Sequence, residues 1–298
     1  MIQERLKALR AEMEKRGITV YVVPTADFHE SEYVGDHFKA RKFITGFTGS
    51  AGTAVITLDE AGLWTDGRYF VQAENQLKDS TVTLYRMGEE GVPTVDEFVK
   101  DRLKEGGCLG FDGRVVNGTW GGKLEKIAAE KNVSMHVTED LIDLIWEDRP
   151  ALSKQPLFIL EEKYSGKSTA DKIADLRKAM KENGADVHIL TSLYDIAWLL
   201  NIRGNDIDYV PVVLSYLVLN ETECIWFLQE EVVDDKIRAY LEENHITTKP
   251  YDAIYDYVPE IPADAVVLMN RGTVNYRIVN SLDKAIKVVD KPNPTELM

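Results

Sequence analysis

The feature that most constrains the fold of this chain is an internal repeat. Residues 5–25 read RLKALRAEMEKRGITVYVVPT, and residues 172–191 read KIADLRKAMKENGADVHILT. Gly17 and Gly184 occupy the same place in the two copies. Each copy has the pattern of an amphipathic helix that is closed by a glycine and followed by a buried strand. A chain of 298 residues that carries this pattern twice is predicted to form two related domains.

The similarity continues after the first helix and strand. TAVITLDEAGLWT at residues 53–65 parallels SYLVLNETECIWF at residues 215–227, and each reads as a strand, a polar turn and a second strand. Further on, the periodicity predicts helices over 69–79, 94–104, 230–243 and 273–283, strands over 81–87, 108–113, 265–270 and 285–290, and an extended segment over 247–252. The predicted fold class is α/β, with two tandem domains that each contain a mixed sheet flanked by helices.

The boundary between the two copies is predicted in residues 147–158, EDRPALSKQPLF. Two prolines and several polar residues interrupt the periodicity there. We therefore expect a first domain over residues 1–154 and a second domain over residues 155–290.

Composition and charge exclude several classes of protein. The formal net charge is −15, whereas binding to nucleic acid or to an anionic membrane needs a basic surface. The longest apolar stretches, such as Val212–Leu219, are too short to span a bilayer. The charged N-terminus lacks the apolar core of a secretory signal, and Cys108 and Cys224 fit no CxxC pattern. We therefore expect a cytoplasmic protein with two ordinary thiols and no nucleic-acid or membrane partner.

Two histidines, His29 and His37, lie near each other in DFHESEYVGDHF at residues 27–38. Carboxylates surround them, and imidazole together with carboxylate suits zinc or manganese. The helical His-Glu-His spacing of metalloproteases is absent, however, and acidic residues are common where a helix begins. Between a metal site and a capped, solvent-exposed helix start, the pattern favours the helix start.

Two further motifs contain glycine. TGFTGSAGTAVITL at residues 45–58 leads into a β-branched strand, whereas glycine loops that bind phosphate lead into a helix. In WTDGRYF at residues 64–70, Arg68 either binds a carboxylate ligand or pairs with Asp66 to fix a turn, and we favour the pair. No spacing suggests a Ser-His-Asp or Cys-His arrangement, and the GxSxG elbow is missing. The residues by themselves therefore reveal no catalytic apparatus.

Three segments resemble one known family: DFHESEY (27–33), RKFITGFTGSAGTAVITLDEAGLWTDGRYFVQAENQL (41–77) and LYDIAWLLNIRGNDIDYVPVVLSY (193–216). They are similar to the N-terminal region of three-domain Xaa-Pro aminopeptidases, and the resemblance extends over essentially the whole chain. It implies two creatinase/prolidase-type N-terminal domains, each with a mixed sheet of about six strands flanked by helices, of the ribonuclease H-like type. The signature residues, which we expect to be structural, are Asp27, His29, Glu32, Tyr33, Asp66, Arg68 and Tyr69.

The chemistry of this family belongs to a third domain, and the resemblance makes KPNPTELM at residues 291–298 the start of the linker to it. Two divalent metal ions, usually manganese, activate a water there that attacks the peptide bond before a penultimate proline. No residue of this chain matches the ligand motifs of that domain. The resemblance therefore implies two domains without a cofactor or hydrolytic activity of their own. Their implied partners are the catalytic domain, a proline-containing peptide and, in a homodimer, a second enzyme subunit.

In creatinase-type relatives, the N-terminal domain next to the catalytic domain lends residues to the rim of the active site. The resemblance assigns this role to residues 201–211, NIRGNDIDYVP. Arg203 would approach the cleft and hold a substrate carbonyl or carboxylate group. The residues expected to shape or orient this loop are Trp198, Asn201, Asp206 and Tyr209. The alternative is an ion pair between Arg203 and Asp206 that terminates a core helix.

Three functions thus remain open. The first is the non-catalytic N-terminal half of a metal-dependent Xaa-Pro aminopeptidase, which shapes the substrate cleft and supports assembly. The second is a binding or oligomerisation module that acts without a peptidase domain. The third, which we consider least, is an independent hydrolase that uses His29 and the nearby carboxylates.

Overall fold

Residues 1–298 are all described in the computed structural model, in which the chain forms two units. Unit 1 comprises Met1–Phe28 and Asp36–Ala151, and unit 2 comprises His29–Gly35 and Leu152–Met298. The chain therefore contributes a short segment to unit 2 before unit 1 is complete, and we call His29–Gly35 the strap. The domain limits expected from the sequence, at residues 154 and 290, stay a prediction.

Unit 1 is built on a six-stranded mixed sheet. Its strands are β1 (Val20–Pro24), β2 (Thr53–Thr57), β3 (Ala61–Thr65), β4 (Thr83–Arg86), β5 (Cys108–Phe111) and β6 (Ser134–His136). Its helices are α1 (Ile2–Lys15), α2 (Ala40–Thr45), α3 (Phe70–Gln76), α4 (Val95–Arg102) and α5 (Gly118–Glu130). The strand order is β4-β3-β2-β1-β5-β6, with β1 antiparallel to β2 and parallel to β5.

Unit 2 contains a second six-stranded mixed sheet and a separate two-stranded ribbon. Its strands are β7 (Phe158–Ile159), β8 (Val187–Leu190), β9 (Ile202–Arg203), β10 (Ser215–Asn220), β11 (Cys224–Leu228), β12 (Thr247–Pro250), β13 (Val266–Met269) and β14 (Lys287–Asp290). Its helices are α6 (Glu162–Ser165), α7 (Thr169–Glu182), α8 (Leu193–Leu200), α9 (Asp235–Glu243), α10 (Ile254–Tyr257) and α11 (Tyr276–Ser281). The ribbon is formed by β7 and β9.

The sheet of unit 2 reproduces the sheet of unit 1. Its order is β12-β11-β10-β8-β13-β14, with β8 antiparallel to β10 and parallel to β13. The hairpins β2–β3 and β10–β11 therefore occupy equivalent places, and the tryptophan near the end of each, Trp64 or Trp226, is completely buried. The duplicated α/β architecture expected from the repeat is confirmed.

The helix that opens each copy packs through one apolar face. The buried apolar residues are Leu6, Leu9 and Met13 in α1, and Ile173, Leu176 and Met180 in α7. Burial of each such side chain contributes roughly 1.5–3 kcal/mol. Gly17 (φ +67°) and Gly184 (φ +63°) follow the two helices in the left-handed region, where a residue with a Cβ would be strained.

The helix predicted over residues 230–243 is wrong in its first part. Residues Glu230–Val232 form a 3-10 turn, and α9 begins only after Asp234. The Asp234 carboxylate accepts a hydrogen bond of 2.8 Å from the Ile237 amide, which is the geometry of a helix N-cap. The other elements predicted after the hairpins are present with shorter bounds.

The two cysteines are free and buried. Burial raises the pKa of the Cys224 thiol to about 12, so the reactive thiolate is not populated near neutral pH. No helix in residues 1–298 has the length and apolar character needed to cross a bilayer.

Candidate functional site

Helix α8 explains where the apolar run LYDIAWLL stops. The Ser192 hydroxyl accepts a hydrogen bond from the Asp195 amide at its start. The buried residues of the helix are Leu193, Ile196, Ala197, Leu199 and Leu200. It ends at Asn201, whose φ of +50° lies in the left-handed region that asparagine tolerates best after glycine. The chain then turns directly into β9 and Arg203.

The ribbon places Arg203 beside an exposed phenylalanine. Phe158 of β7 is the direct antiparallel partner of Arg203, and Ile159 is the partner of Ile202. Directly opposed residues of an antiparallel pair point to the same face of the sheet. The Phe158 ring, which is 48% exposed, and the Arg203 side chain therefore share one face of the ribbon.

A buried lysine holds the end of α8. The Lys172 ammonium donates hydrogen bonds to the Trp198 carbonyl (2.8 Å) and to Asn201 Oδ1 (2.6 Å), and it lies 4.3 Å from the centroid of the Trp198 ring. Burial, together with the positive charges of Arg203 and Lys167, lowers the pKa of Lys172 to about 8. The Lys172–Asn201–Trp198 contacts thus fix the backbone from which the ribbon starts.

The Arg203 guanidinium is half-buried and makes hydrogen bonds only to backbone carbonyls. Nη1 donates to the carbonyl oxygens of Ala197 and Ile202, while Nε and Nη2 make no hydrogen bond within the chain. Desolvation lowers the pKa of Arg203. A guanidinium that is partly desolvated and faces no carboxylate can still bind a carbonyl or carboxylate group through its remaining donors.

Asp206 anchors the loop after Arg203 instead of pairing with it. Its two carboxylate oxygens accept hydrogen bonds from the amides of Gln155 (3.1 Å) and Leu214 (2.9 Å). The helix-terminating ion pair between Arg203 and Asp206, which was the alternative, is therefore not formed. Asp206 is buried, and desolvation raises its pKa despite these two hydrogen bonds.

The loop presents Tyr209 to solvent. Ile207 is buried and forms an isolated antiparallel β-bridge with Val210, which closes the turn between them. Tyr209 lies in that turn with a φ of +65° and a fully exposed side chain. A positive φ costs a residue with a Cβ roughly 1–3 kcal/mol, and such outliers concentrate at functional sites.

Three family-signature residues of unit 1, Asp66, Arg68 and Tyr69, lie together at a surface turn. Arg68 donates from Nε and Nη2 to the two carboxylate oxygens of Asp66, each at 2.8 Å, so the pair favoured over a carboxylate-binding site is present. This pairing lowers the pKa of Asp66 to about 2. The Tyr69 hydroxyl lies 2.6 Å from the Ser50 hydroxyl. Asp27 is buried in the same unit.

The two histidines considered for a metal site belong to different units. In unit 2, His29 Nδ1 lies 3.0 Å from the Thr191 carbonyl oxygen and Nε2 lies 2.6 Å from the Tyr251 hydroxyl. A carbonyl only accepts, so Nδ1 carries a proton and donates to it. Both ring nitrogens thus lie within hydrogen-bonding distance of a partner. Glu32 and Tyr33, further along the strap, are exposed.

Hydrogen bonds also account for the second histidine, since His37 Nδ1 in unit 1 lies 2.8 Å from the Pro150 carbonyl oxygen. Across all 298 residues, no group of three or more His, Cys, Asp or Glu side chains is arranged to hold a metal ion.

Two residues of this site, Lys172 and Phe158, were not found by sequence reasoning. Lys172 lies three residues after the buried Thr169 and four residues before the buried Leu176, and a lysine at that helical spacing is the signal that points to burial. Phe158 lies in the segment taken as the boundary between the two copies, and only its pairing with Arg203 gives it a role.

Comparison with protein families and curated proteins agrees with this architecture. The family described as "Creatinase/Prolidase N-terminal domain" matches residues 5–145, and a second family of the same description matches residues 148–298. The "Probable Xaa-Pro aminopeptidase P" of Neurospora crassa is 39% identical over 290 residues, which is 96% of this chain and 42% of that protein. "Aminopeptidase P2" of Arabidopsis thaliana is 35% identical over 291 residues, which is 96% of this chain and 41% of that protein.

One solved structure is similar over nearly the whole chain. It is an X-prolyl aminopeptidase from Caenorhabditis elegans, described as a cytosolic enzyme with a di-nuclear active site. The TM-score is 0.92 at 32% sequence identity, and the match covers 98% of this chain and 50% of that chain. This chain thus spans about half the length of the relatives it matches. It belongs to the creatinase/prolidase N-terminal domain family, carries two such domains in tandem, and has Xaa-Pro aminopeptidases P as homologues.

Proposed function

We propose that this chain is the non-catalytic N-terminal half of a metal-dependent Xaa-Pro aminopeptidase. The parent enzyme would remove the N-terminal residue of a peptide whose second residue is proline. The observation that carries the proposal is the match over 96% of this chain to a protein named for this activity, of which the match covers only 42%. The chemistry would lie in the half that the match does not cover.

The role we propose for unit 2 is to shape the substrate cleft through the β7–β9 ribbon. Arg203 supports this role, because its Nε and Nη2 donors have no acceptor within the chain. Charge also supports it, since neither Arg203 nor the buried Lys172 pairs with a carboxylate although the chain has a net charge of −15. A peptide carbonyl or carboxylate would satisfy the free donors of the guanidinium.

Tyr209 is the contact we propose for the C-terminal catalytic domain. A fully exposed tyrosine held at a positive φ costs stability and gains no burial within this chain. Contact with another domain would bury the ring and offset that cost. Residues 291–298 would lead into that domain, and a homodimer of the full-length enzyme is the assembly we propose.

The metal ions of the proposed enzyme would be two divalent cations, manganese in our proposal, held by the C-terminal domain. The donor set of this chain does not suit them, because it contains no cluster of metal-ligating side chains. The protein would act in the cytoplasm, in line with its two free cysteines and with the C. elegans relative described as cytosolic.

The test compares this chain with its full-length parent on Arg-Pro-Pro and Gly-Pro peptides in the presence of manganese. The longer protein is expected to release the N-terminal residue, and residues 1–298 alone are expected to give no turnover. Turnover by the 298-residue chain would contradict the proposal. A reading frame that stops after Met298 would favour a binding or oligomerisation module instead.

A further inference from the structure

A hollow of about 440 Å³ lies on unit 1, remote in sequence from the ribbon of unit 2. Its walls come from α1, from α2 and the turn before it, and from residues 146–150. The lining residues are Arg5, Asp36, Lys39, Lys42, Phe43, Gly46, Trp146, Asp148 and Pro150. The volume falls in the range of sites for small molecules, which begins at about 300 Å³.

The apolar part of the hollow is a stacked aromatic pair. The rings of Phe43 and Trp146 lie with their centroids 4.5 Å apart and their planes 14° from parallel. Phe43 is buried, whereas Trp146 is only half-buried. The pair thus gives the hollow a rigid wall, part of which remains accessible to a ligand.

Three cations line the same hollow. The Arg5 guanidinium donates from Nη1 to the Phe43 carbonyl (2.8 Å) and lies 4.1 Å from the centroid of the Phe43 ring, so it is fixed in place. Lys39 pairs with Asp36, while Lys42 is exposed and forms no ion pair. Arg5 likewise has no carboxylate partner, and its other donors remain available. Two of the three cations, Arg5 and Lys42, therefore form no ion pair, although Lys39 and, to a smaller extent, the charge of Lys42 lower the pKa of Asp36.

The charge of the lining residues is unusual for this chain. Three cations against two carboxylates give the hollow a positive excess, although the protein carries a net charge of −15. A larger hollow on unit 2, of about 1010 Å³, has no aromatic lining. Its lining contains equal numbers of cations and carboxylates: Arg177, Lys178 and Lys181 against Asp186, Glu221 and Asp264. Of these two hollows, only the one on unit 1 combines a positive excess with an aromatic wall.

We propose that the hollow lined by Arg5, Lys42 and Trp146 binds a small aromatic oxyanion, an aryl phosphate or aryl carboxylate. The oxyanion accepts hydrogen bonds from Arg5 and Lys42, and the ring of the ligand packs on the Trp146 side of the aromatic pair. A ligand of this size binds with a dissociation constant on the order of 1 mM. The site is independent of the peptidase function proposed for the parent enzyme.

The test is a ligand titration of the 298-residue chain monitored by tryptophan fluorescence. Subtracting the signal of the Trp146→Phe variant gives the contribution of Trp146. Phenyl phosphate and benzoate supply ring and charge, inorganic phosphate supplies charge alone, and phenol supplies the ring alone. We expect saturable binding of phenyl phosphate, benzoate or both, at least tenfold tighter than that of phosphate or phenol. The better of the two identifies the oxyanion.

Variants locate the site. The double variant Arg5→Gln/Lys42→Gln is expected to weaken binding at least tenfold. The double variant Lys39→Gln/Lys42→Gln changes only partly or fully exposed side chains and is expected to weaken binding too, so it replaces the first variant if that one fails to fold. Lys178→Gln with Lys181→Gln removes the same charge from the other hollow and is expected to leave affinity unchanged. Absence of saturation by about 20 mM, or equal loss in the control variant, would overturn the proposal.

Discussion

Lys172 shows how one buried side chain can determine where a helix ends. Its ammonium satisfies the Trp198 carbonyl and the side chain of Asn201, and Asn201 in turn takes the left-handed conformation that ends α8. Arg41 has a comparable place in unit 1, where its buried guanidinium donates to Thr25 Oγ1 and to the carbonyls of Phe47 and Gly49. Each unit thus uses one buried cation, without a carboxylate partner, to hold the backbone that follows a helix.

Lys172 makes the stability of the protein depend on pH. The folded state holds its pKa at about 8 and the unfolded chain near 10.5, so the unfolded state binds more protons between these values. Relative to a variant without this lysine, the free energy of unfolding should therefore rise by about 2 kcal/mol from pH 8 to pH 10. Urea denaturation at both pH values, on the protein and on Lys172→Met, measures the effect.

In Lys172→Met this relative rise is expected to be absent, while overall stability falls because Asn201 Oδ1 and the Trp198 carbonyl lose their donor. The exposed Lys126→Met serves as the control and should keep the rise. Burial raises the pKa values of Cys224, Tyr21 and Tyr216, so these groups lower the free energy of unfolding as the pH rises. They are common to all variants, and the comparison between variants therefore isolates Lys172. An equal rise in Lys172→Met would contradict the assignment to Lys172.

Tyr209 can be tested by relieving its backbone. Glycine adopts a φ of +65° without strain, and the exposed Tyr209 ring loses no buried contact, so Tyr209→Gly should raise stability by about 0.5–1 kcal/mol. Tyr164→Gly is the matched control, because this exposed tyrosine lies in α6 and its replacement should cost about 1 kcal/mol. Chemical denaturation of both variants gives the sign, and a destabilised Tyr209→Gly would show that the turn is not strained.

At the scale of elements, the strap is the part of unit 2 most distant in sequence from its sheet. His29 donates to the Thr191 carbonyl through Nδ1 and shares a hydrogen bond of 2.6 Å with the Tyr251 hydroxyl through Nε2, and its ring centroid lies 4.5 Å from that of Tyr216. These contacts place the imidazole against residues at the ends of β8 and in β10. The strap is therefore a structural element of unit 2, although unit 1 flanks it in sequence.

Replacing His29 should loosen unit 2 selectively. His29→Ala removes two buried hydrogen bonds and a ring contact, at a cost of about 2–4 kcal/mol. Hydrogen exchange of the full chain should show faster exchange in β8 and β10, with β1 unchanged. His37→Ala, which removes a hydrogen bond to the Pro150 carbonyl in unit 1, is the control and should leave β8 and β10 protected. Faster exchange in β1 alone after His29→Ala would contradict the placement of the strap.

Most elements could be predicted because their signals are local. The glycine after α1 and α7, the turn within each hairpin and the apolar period of the helices depend on neighbouring residues. The ribbon and the loop anchor could not, because Gln155 and Leu214 reach Asp206 only in the folded chain. The sequence left an Arg203–Asp206 ion pair open as the alternative, and the Asp206 carboxylate instead accepts from the backbone amides of Gln155 and Leu214.

At the scale of the whole molecule, the two copies of one fold differ in the segment to which we assign a function. Both units share one strand order, but the segment before the hairpin differs between the copies. In unit 1, the buried Arg41 binds the loop after α2 from inside. In unit 2, the corresponding segment carries the half-buried Arg203 and the exposed Tyr209 outward on a ribbon and a strained turn. The second copy is therefore the one that we assign to the substrate cleft.

The most direct test of this account is the steady-state hydrolysis of Arg-Pro-Pro by the full-length parent enzyme carrying Arg203→Ala. If Arg203 holds a carbonyl or carboxylate of the bound peptide, kcat/KM should fall at least about tenfold, with partial recovery in Arg203→Lys and an unchanged circular dichroism spectrum. Arg68→Ala, in the surface turn of unit 1, should leave kcat/KM unaltered. A folded Arg203→Ala enzyme with unchanged kinetics would contradict the assignment of the ribbon to the substrate cleft.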